Sequence, residues 1–312
     1  MDTTGEFLQE MVSLYGMALL GFIARKSEIL NENANDVLTQ LILYITLPAL
    51  IIFSMDISFS ITLVKEFLWL TFMSVYVLVL SIFLAIWMRR LSRLPDKQKS
   101  VYEGLIIFGN QGFIGYAVIF IIFGEQGIVY LTMFNIFYLL LIWSYGIYLF
   151  NKKETGLRWK PVFLNPGILS TVAGLVIFLL PIRLPQLVSN SLEIVGKMTI
   201  PLSMILIGSL MAHVKYETLL SMLKNLSLWK MAIAKLLFIP LLLIPFVVFS
   251  VPTSLLLLAV IVSGMPSAPT ISLYAQKYGG DAIFSSLGVL LTTFLCIFTI
   301  PFLYWIVEFF II

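Results

Sequence analysis

Long apolar runs separated by short polar joints follow one another along all 312 residues of this chain. An α-helix rises 1.5 Å per residue, so about 20 apolar residues cross a hydrocarbon layer roughly 30 Å thick. Runs of that length at about 6–24, 37–55, 64–88, 101–123, 127–150, 162–181, 190–212, 227–249, 253–277 and 282–310 predict ten transmembrane helices, spans 1 to 10. No joint is long enough for a second, soluble domain. Two spans break their own pattern. In span 4, Phe108 to Val118 reads FGNQGFIGYAV and places Gly109, Gly112, Gly115, Asn110 and Gln111 inside an apolar run. Lipid offers such a stretch no hydrogen bonds, so it must face protein or a water-filled cavity. With entry near Val101, Asn110 lies about 13 Å deep, close to the midplane. In span 9, Ser263 to Thr270 reads SGMPSAPT, and Pro266 and Pro269 each remove a backbone donor and obstruct helical bonding. Helices broken at mid-depth suggest a transport site.

Charge sets the orientation. With the N-terminus outside, Arg25, Lys26, Arg89, Arg90, Arg93, Lys97, Lys99, Lys152, Lys153, Arg158, Lys160, Lys215, Lys224 and Lys277 fall in inward joints, and only Lys65 and Arg183 in outward ones. An even number of spans then leaves both termini outside. The composition, 60% hydrophobic and 11% charged with a mean hydropathy of +1.04, fits a polytopic membrane protein. A net charge of +3 gives no reason to expect a nucleic-acid partner. The first residues carry acids and no Lys or Arg, so the first span reads as a retained helix and not a signal peptide. One cysteine, Cys296, and one histidine, His213, leave no material for a disulfide framework or a Cys/His metal cluster. No cofactor or metal is expected, and no paired acids, phosphate loop or serine elbow points to an enzyme.

The two halves are related. At an offset of 153 residues Gly21 falls on Gly174, Thr46-Leu47-Pro48 on Thr199-Ile200-Pro201, and Asn110 on Ser263; past the breaks an offset of 156 brings Gly124-Glu125 onto Gly280-Asp281. Five spans per repeat is an odd number, so residues 1–155 and 156–312 form inverted repeats whose breaks, in spans 4 and 9, can cross back to back.

Three stretches carry a resemblance: LGFIARK followed by Leu47-Pro48-Ala49, GNQGFIGYA in span 4, and MPSAPTISLYAQKYGGD running into span 10. With them the chain resembles, over essentially its full length, the auxin efflux carrier family of plant auxin exporters and bacterial carriers of malonate, malate and other organic anions. The resemblance implies a five-plus-five inverted repeat, crossing broken helices 4 and 9, and a carboxylate substrate near the crossing. It also implies a scaffold of spans 1, 2, 6 and 7, a transport unit of spans 3–5 and 8–10, and an elevator-like displacement between them. The family usually has a proline where Ala117 stands, so the first break here relies on glycine.

These readings converge on a secondary transporter of a small organic anion in a cytoplasmic membrane, working by alternating access. The expected substrate-binding residues are Asn110, Gln111, Gly112, Gly115, Ser263, Pro266, Pro269 and Thr270, the glycines serving by close approach. Pro48 and Pro201 are expected to kink spans 2 and 7 as hinges or cavity walls. Half-helix N-termini present free amides and a partial positive charge, and they are expected to be the main holders of the anion. Lys197, one turn before Pro201, is the candidate countercharge, and Lys235 is read as snorkelling toward the interface. Asn135 either faces the site or makes a helix-to-helix hydrogen bond, Glu125 and Asp281 read as first-turn acids, His213 as interfacial, and Arg89, Arg90 and Arg93 as topology determinants meeting anionic lipid. Two rivals stay open: a sodium- or proton-coupled symporter of the bile-acid-symporter type, and a membrane-embedded substrate sensor. The oligomeric state is open as well, a homodimer included.

Overall fold

The computed structural model describes residues 3–57, 60–150, 164–180, 183–212, 222–249 and 251–311. The charged joint with Lys152, Lys153, Arg158 and Lys160, the repeat boundary at 155/156, His213 and Lys215 lie outside the described residues. Among the described residues the regular elements are all helices. In chain order they are α1 (Thr3–Lys26), α2 (Glu32–Ser54), α3 (Ile61–Leu91), α4 (Asp96–Ile107), α5 (Gln111–Phe150), α6 (Pro166–Leu179), α7 (Gln186–Ala212), α8 (Leu226–Phe249), α9 (Thr253–Ser263), α10 (Thr270–Tyr278) and α11 (Ala282–Ile311). Six of these, α2, α3, α5, α7, α8 and α11, are long and apolar enough to cross a membrane, and α6 and α9 are shorter apolar helices.

Local chemistry explains the ends and interruptions. Asn165 accepts hydrogen bonds from the Gly167 and Ile168 amides at 2.9 and 3.2 Å, and Pro166 follows where no N–H is needed. Asp281, expected in the first turn of this span, stands one residue before α11 and caps it by accepting the Phe284 amide at 2.9 Å. Interior prolines leave a distinct mark. Each deprives the helix of a donor and pushes against the carbonyl four residues back. Before Pro48 and Pro240 the helix widens into π turns, Ile42–Thr46 and Ala234–Phe238, while before Pro201 it is interrupted at Met198. In α5, Gly124 takes φ 61° and ψ −148°, conformations open to glycine, and divides that 40-residue stretch in two.

Helix faces are sorted as a membrane requires. On α3, Leu68, Phe72, Val75, Val79 and Phe83 form an exposed apolar stripe at helical spacing, while Leu70, Met73, Val77 and Ala85 are buried on the other face.

Two compact units can be described. The first holds α1, α2, the start of α3 to Phe67, residues 112–136 of α5, α6 and α7. Within it α1 packs on α7 so closely that a methyl on Gly21 would sit 2.0 Å from the Ile205 carbonyl oxygen, and α6 packs on α2, Gly174 against Met55. α2 and α7 meet where the Thr199 hydroxyl donates to the Thr46 hydroxyl at 2.9 Å, both residues buried. The second unit holds α3 from Leu68, α4 with residues 108–111, α5 from Phe137, and α8 to α11. The paired stretches 108–111 and 263–270 both lie within this second unit.

Candidate functional site

α4 and α9 stop after 12 and 11 residues, so each is about 16 to 18 Å long, roughly half a hydrocarbon layer. Beyond them the backbone is extended, and Gly109 and Ser267 form an isolated antiparallel bridge. The Asn110 amide donates to the Pro266 carbonyl at 2.5 Å and the Ala268 amide to the Phe108 carbonyl at 2.9 Å. Residues 101–111 and 258–268 are buried almost without interruption.

A helix end in an apolar interior must find partners for its last carbonyls. At the end of α4 and just beyond it several can be traced. The Ser267 hydroxyl donates to the Leu105 carbonyl at 2.7 Å, the Lys235 ammonium to that of Ile107 at 3.4 Å, and the Tyr138 hydroxyl to that of Gly109 at 2.5 Å. Ser267 is itself fixed by its amide, which donates to the Thr292 hydroxyl at 3.0 Å. Tyr138 stands edge-on to Phe108, ring centroids 6.0 Å apart.

Lys235 requires a correction. It does not snorkel: it is buried at 2% exposure with its ammonium at the paired breaks. A methyl added to Gly109 would lie 3.2 Å from Nζ and 3.4 Å from the Met265 carbonyl oxygen, so the charge sits beside the C-terminal ends of both α4 and α9. Those ends carry partial negative charge and replace the water that a snorkelling lysine would seek. The π turn that holds Lys235, induced by Pro240, belongs to a class of helix distortion frequent at functional sites.

The other candidates divide. Asn110 and Gln111 are buried at the break, and the Gln111 side-chain oxygen has no hydrogen-bond partner. Gly112 and Gly115 lie in a π turn, Gln111–Gly115, at the start of α5, so the extended part of the first break is confined to 108–110. Pro266 contributes its carbonyl to the pairing, and Pro269 starts α10 just before Thr270. The Ser263 hydroxyl turns back to the Ala259 carbonyl at 2.7 Å, whereas Ser267 is the serine that reaches across. At the start of α10 several amides expected to be free are already used: Ile271 donates to Ala268, and Ser272 and Leu273 to Pro269.

Away from the breaks, Lys197 is 38% exposed and bonded to Glu125 at 2.8 Å and Glu193 at 2.6 Å, so two carboxylates already meet its charge. Glu125 thereby acts as an ion-pair partner beside Gly124. Arg89 does more than mark topology: it pairs at 2.7 Å with Glu103, which is fully buried and also accepts the Tyr145 hydroxyl. Asn135 is buried in the first unit with its side-chain oxygen unpartnered, near the Tyr116 and Thr132 hydroxyls, which are 3.2 Å apart. Sequence reasoning missed Ser267, Tyr138 and the place of Lys235. The one signal for the last was Pro240, five residues on in an otherwise apolar run.

A family model described as membrane transport protein matches residues 6–161 and 155–304. An uncharacterised transporter of Methanocaldococcus jannaschii is 25% identical over 202 residues, which cover 62% of this chain and 65% of that relative, just under two thirds of its length. With the match extending over nearly the whole chain, the protein belongs to the membrane transport protein family, the auxin efflux carrier family that its motifs resemble.

Proposed function

We propose that the chain is a secondary transporter of a small organic anion, a mono- or dicarboxylate, bound where broken helices 4 and 9 cross at mid-membrane. One observation carries this reading: residues 108–110 pair with 266–268 in a buried, extended contact between two half-length helices. That contact gathers helix ends, the Asn110 and Gln111 amides and the Lys235 ammonium in one apolar setting. Intramembrane polar groups of this kind mark substrate paths, and half-helix N-termini favour anions.

The ten-span, five-plus-five inverted architecture belongs to the same proposal. Two residues related by an internal two-fold can touch each other only close to its axis. Thr46 and Thr199, 153 residues apart like the other repeat matches, share a hydrogen bond in the first unit. The scaffold would comprise spans 1, 2, 6 and 7 and the moving unit spans 3–5 and 8–10, alternating access by an elevator-like step with both termini outside. Proteoliposomes preloaded or bathed with labelled malonate, malate or indole-3-acetate test the function. Saturable flux absent from protein-free vesicles is expected, and sodium or pH gradients reveal any coupling. Tight carboxylate binding with no flux under any gradient would replace the transporter reading with that of a sensor.

A further inference from the structure

Resting on that reading, we propose that Lys235 is the specificity-determining residue of the site: its ammonium receives the substrate carboxylate at the paired breaks. The geometry is that of a charge with capacity to spare. An ammonium carries three donors, and the hydrogen bond to the Ile107 carbonyl is a single long one of 3.4 Å. Among the described residues no carboxylate pairs with it, and a positive charge held there, inside a membrane protein, would be costly and is normally matched by an anion. The partial negative ends of α4 and α9 offset only part of that cost. An anion arriving at the breaks completes the balance, and its departure leaves the ammonium on its carbonyl again.

Three neighbours support this role over that of a mere cap. Gly109 has no side chain, and the methyl of an alanine there would press on Nζ at 3.2 Å, so the bare backbone keeps the approach to the ammonium clear. The first amides of α10 are spent on Ala268 and Pro269, so that terminus has few donors left to hold a carboxylate by itself. The Leu105, Gly109 and Phe108 carbonyls are met by Ser267, Tyr138 and the Ala268 amide, and among these partners of the break Lys235 is the charged group.

The test is equilibrium binding of malonate, malate and indole-3-acetate to the purified full chain, each compared with its uncharged amide. Lys235→Met removes a buried charge with little change of volume and is expected to fold. It should weaken binding of the best acid about ten- to hundredfold, with little effect on the amide, so that discrimination between acid and amide collapses. Lys235→Arg should keep much of that discrimination. Gly109→Ala, which crowds the ammonium while leaving it present, should lower acid affinity more than amide affinity, and it serves if the Met variant does not fold. A cap without contact to substrate would change thermal stability and leave the acid-to-amide ratio alone. An unchanged ratio in folded Lys235→Met, or in Gly109→Ala, overturns the inference while acid binding by the wild type leaves the transporter reading standing. Failure of every acid to bind the wild type overturns both.

Discussion

Tyr138→Phe isolates one hydrogen bond at the paired breaks. Tyr138 is 5% exposed and donates to the Gly109 carbonyl at 2.5 Å, and its ring lies edge-on to Phe108. Phenylalanine keeps the ring and its packing and removes only the hydroxyl. The Gly109 carbonyl belongs to extended backbone, so no helical amide replaces the lost donor, and leaving such an acceptor buried costs about 1 to 3 kcal/mol. Tyr274→Phe is the matched control: Tyr274 donates to the Ile142 carbonyl at 3.2 Å, inside α5, where the helix already uses that oxygen. Its loss should cost under about 1 kcal/mol. For a unit of about 170 residues, 1 kcal/mol moves the midpoint by about 2 to 4 °C, so Tyr138→Phe should melt roughly 2 to 12 °C below wild type and below Tyr274→Phe. Thermal scans of detergent-purified protein at one heating rate provide the comparison, since unfolding of such proteins is governed by rate. Equal midpoints for Tyr138→Phe and wild type would refute the claim that the Gly109 carbonyl depends on this hydroxyl.

Four further outcomes follow from the same geometry. Asn110→Ala keeps the backbone amide that bonds Pro266 but loses the side chain, so the protein should fold and bind the best carboxylate about ten- to hundredfold more weakly in equilibrium binding. Thr46→Val and Thr199→Val should each destabilise the protein, and the double variant by less than their sum, a coupling of about 0.5 to 1.5 kcal/mol in a melting-based cycle; strict additivity would deny the contact. Glu103→Gln strands Arg89, whose side chain is 24% exposed and so regains some hydration, and should cost about 2 to 3 kcal/mol of thermal stability, part of it recovered in Arg89→Gln/Glu103→Gln. In a Cys296→Ala background, a cysteine at Lys65 should react with an impermeant maleimide in intact cells and one at Lys97 should not; the reverse pattern inverts the orientation.

That the regular elements are helices, six of them long and apolar enough to cross a membrane, was legible because a bilayer asks for long apolar runs. The breaks were legible for the converse reason: Gly109, Asn110, Pro266 and Pro269 are what an unbroken apolar helix would exclude. The partners of the breaks were not. Periodicity places Lys235 on a helix but does not say that a π turn before Pro240 swings it toward Ile107, and without that fact snorkelling is the cheaper expectation. Arg89 and Glu103 each sat near a span end and read as separate interfacial charges. Their pairing depends on how α3 and α4 pack, a tertiary fact with no local signature. The serines show the limit of repeat matching: an offset of 153 selects Ser263, while the helix ends, Ile107 and Ser263, are 156 apart, and the residue that reaches across is Ser267.

That shift of register bears on how the site would work as a carrier. If the polar backbone of the breaks were completed only by substrate, the empty protein would hold several unsatisfied groups in an apolar setting, each costing roughly 1 to 3 kcal/mol, and an empty return step would be slow. Instead, Ser267, Tyr138 and the Asn110 and Ala268 amides meet the backbone from within the second unit. What is left incompletely matched is a charge, on Lys235, and an amide, on Gln111. On the proposed reading, substrate therefore adds charge neutralisation to a site whose backbone is already met at Leu105, Ile107, Phe108, Gly109 and Pro266. The penalty for crossing empty then falls on one ammonium, partly offset by two helix ends. Such a site favours exchange of one anion for another over net flux, and the ratio of counterflow to net efflux in proteoliposomes should fall toward unity when Lys235 is replaced by Met in a folded variant that still transports. A ratio unmoved by that replacement would place the slow step elsewhere than in the return of the empty site.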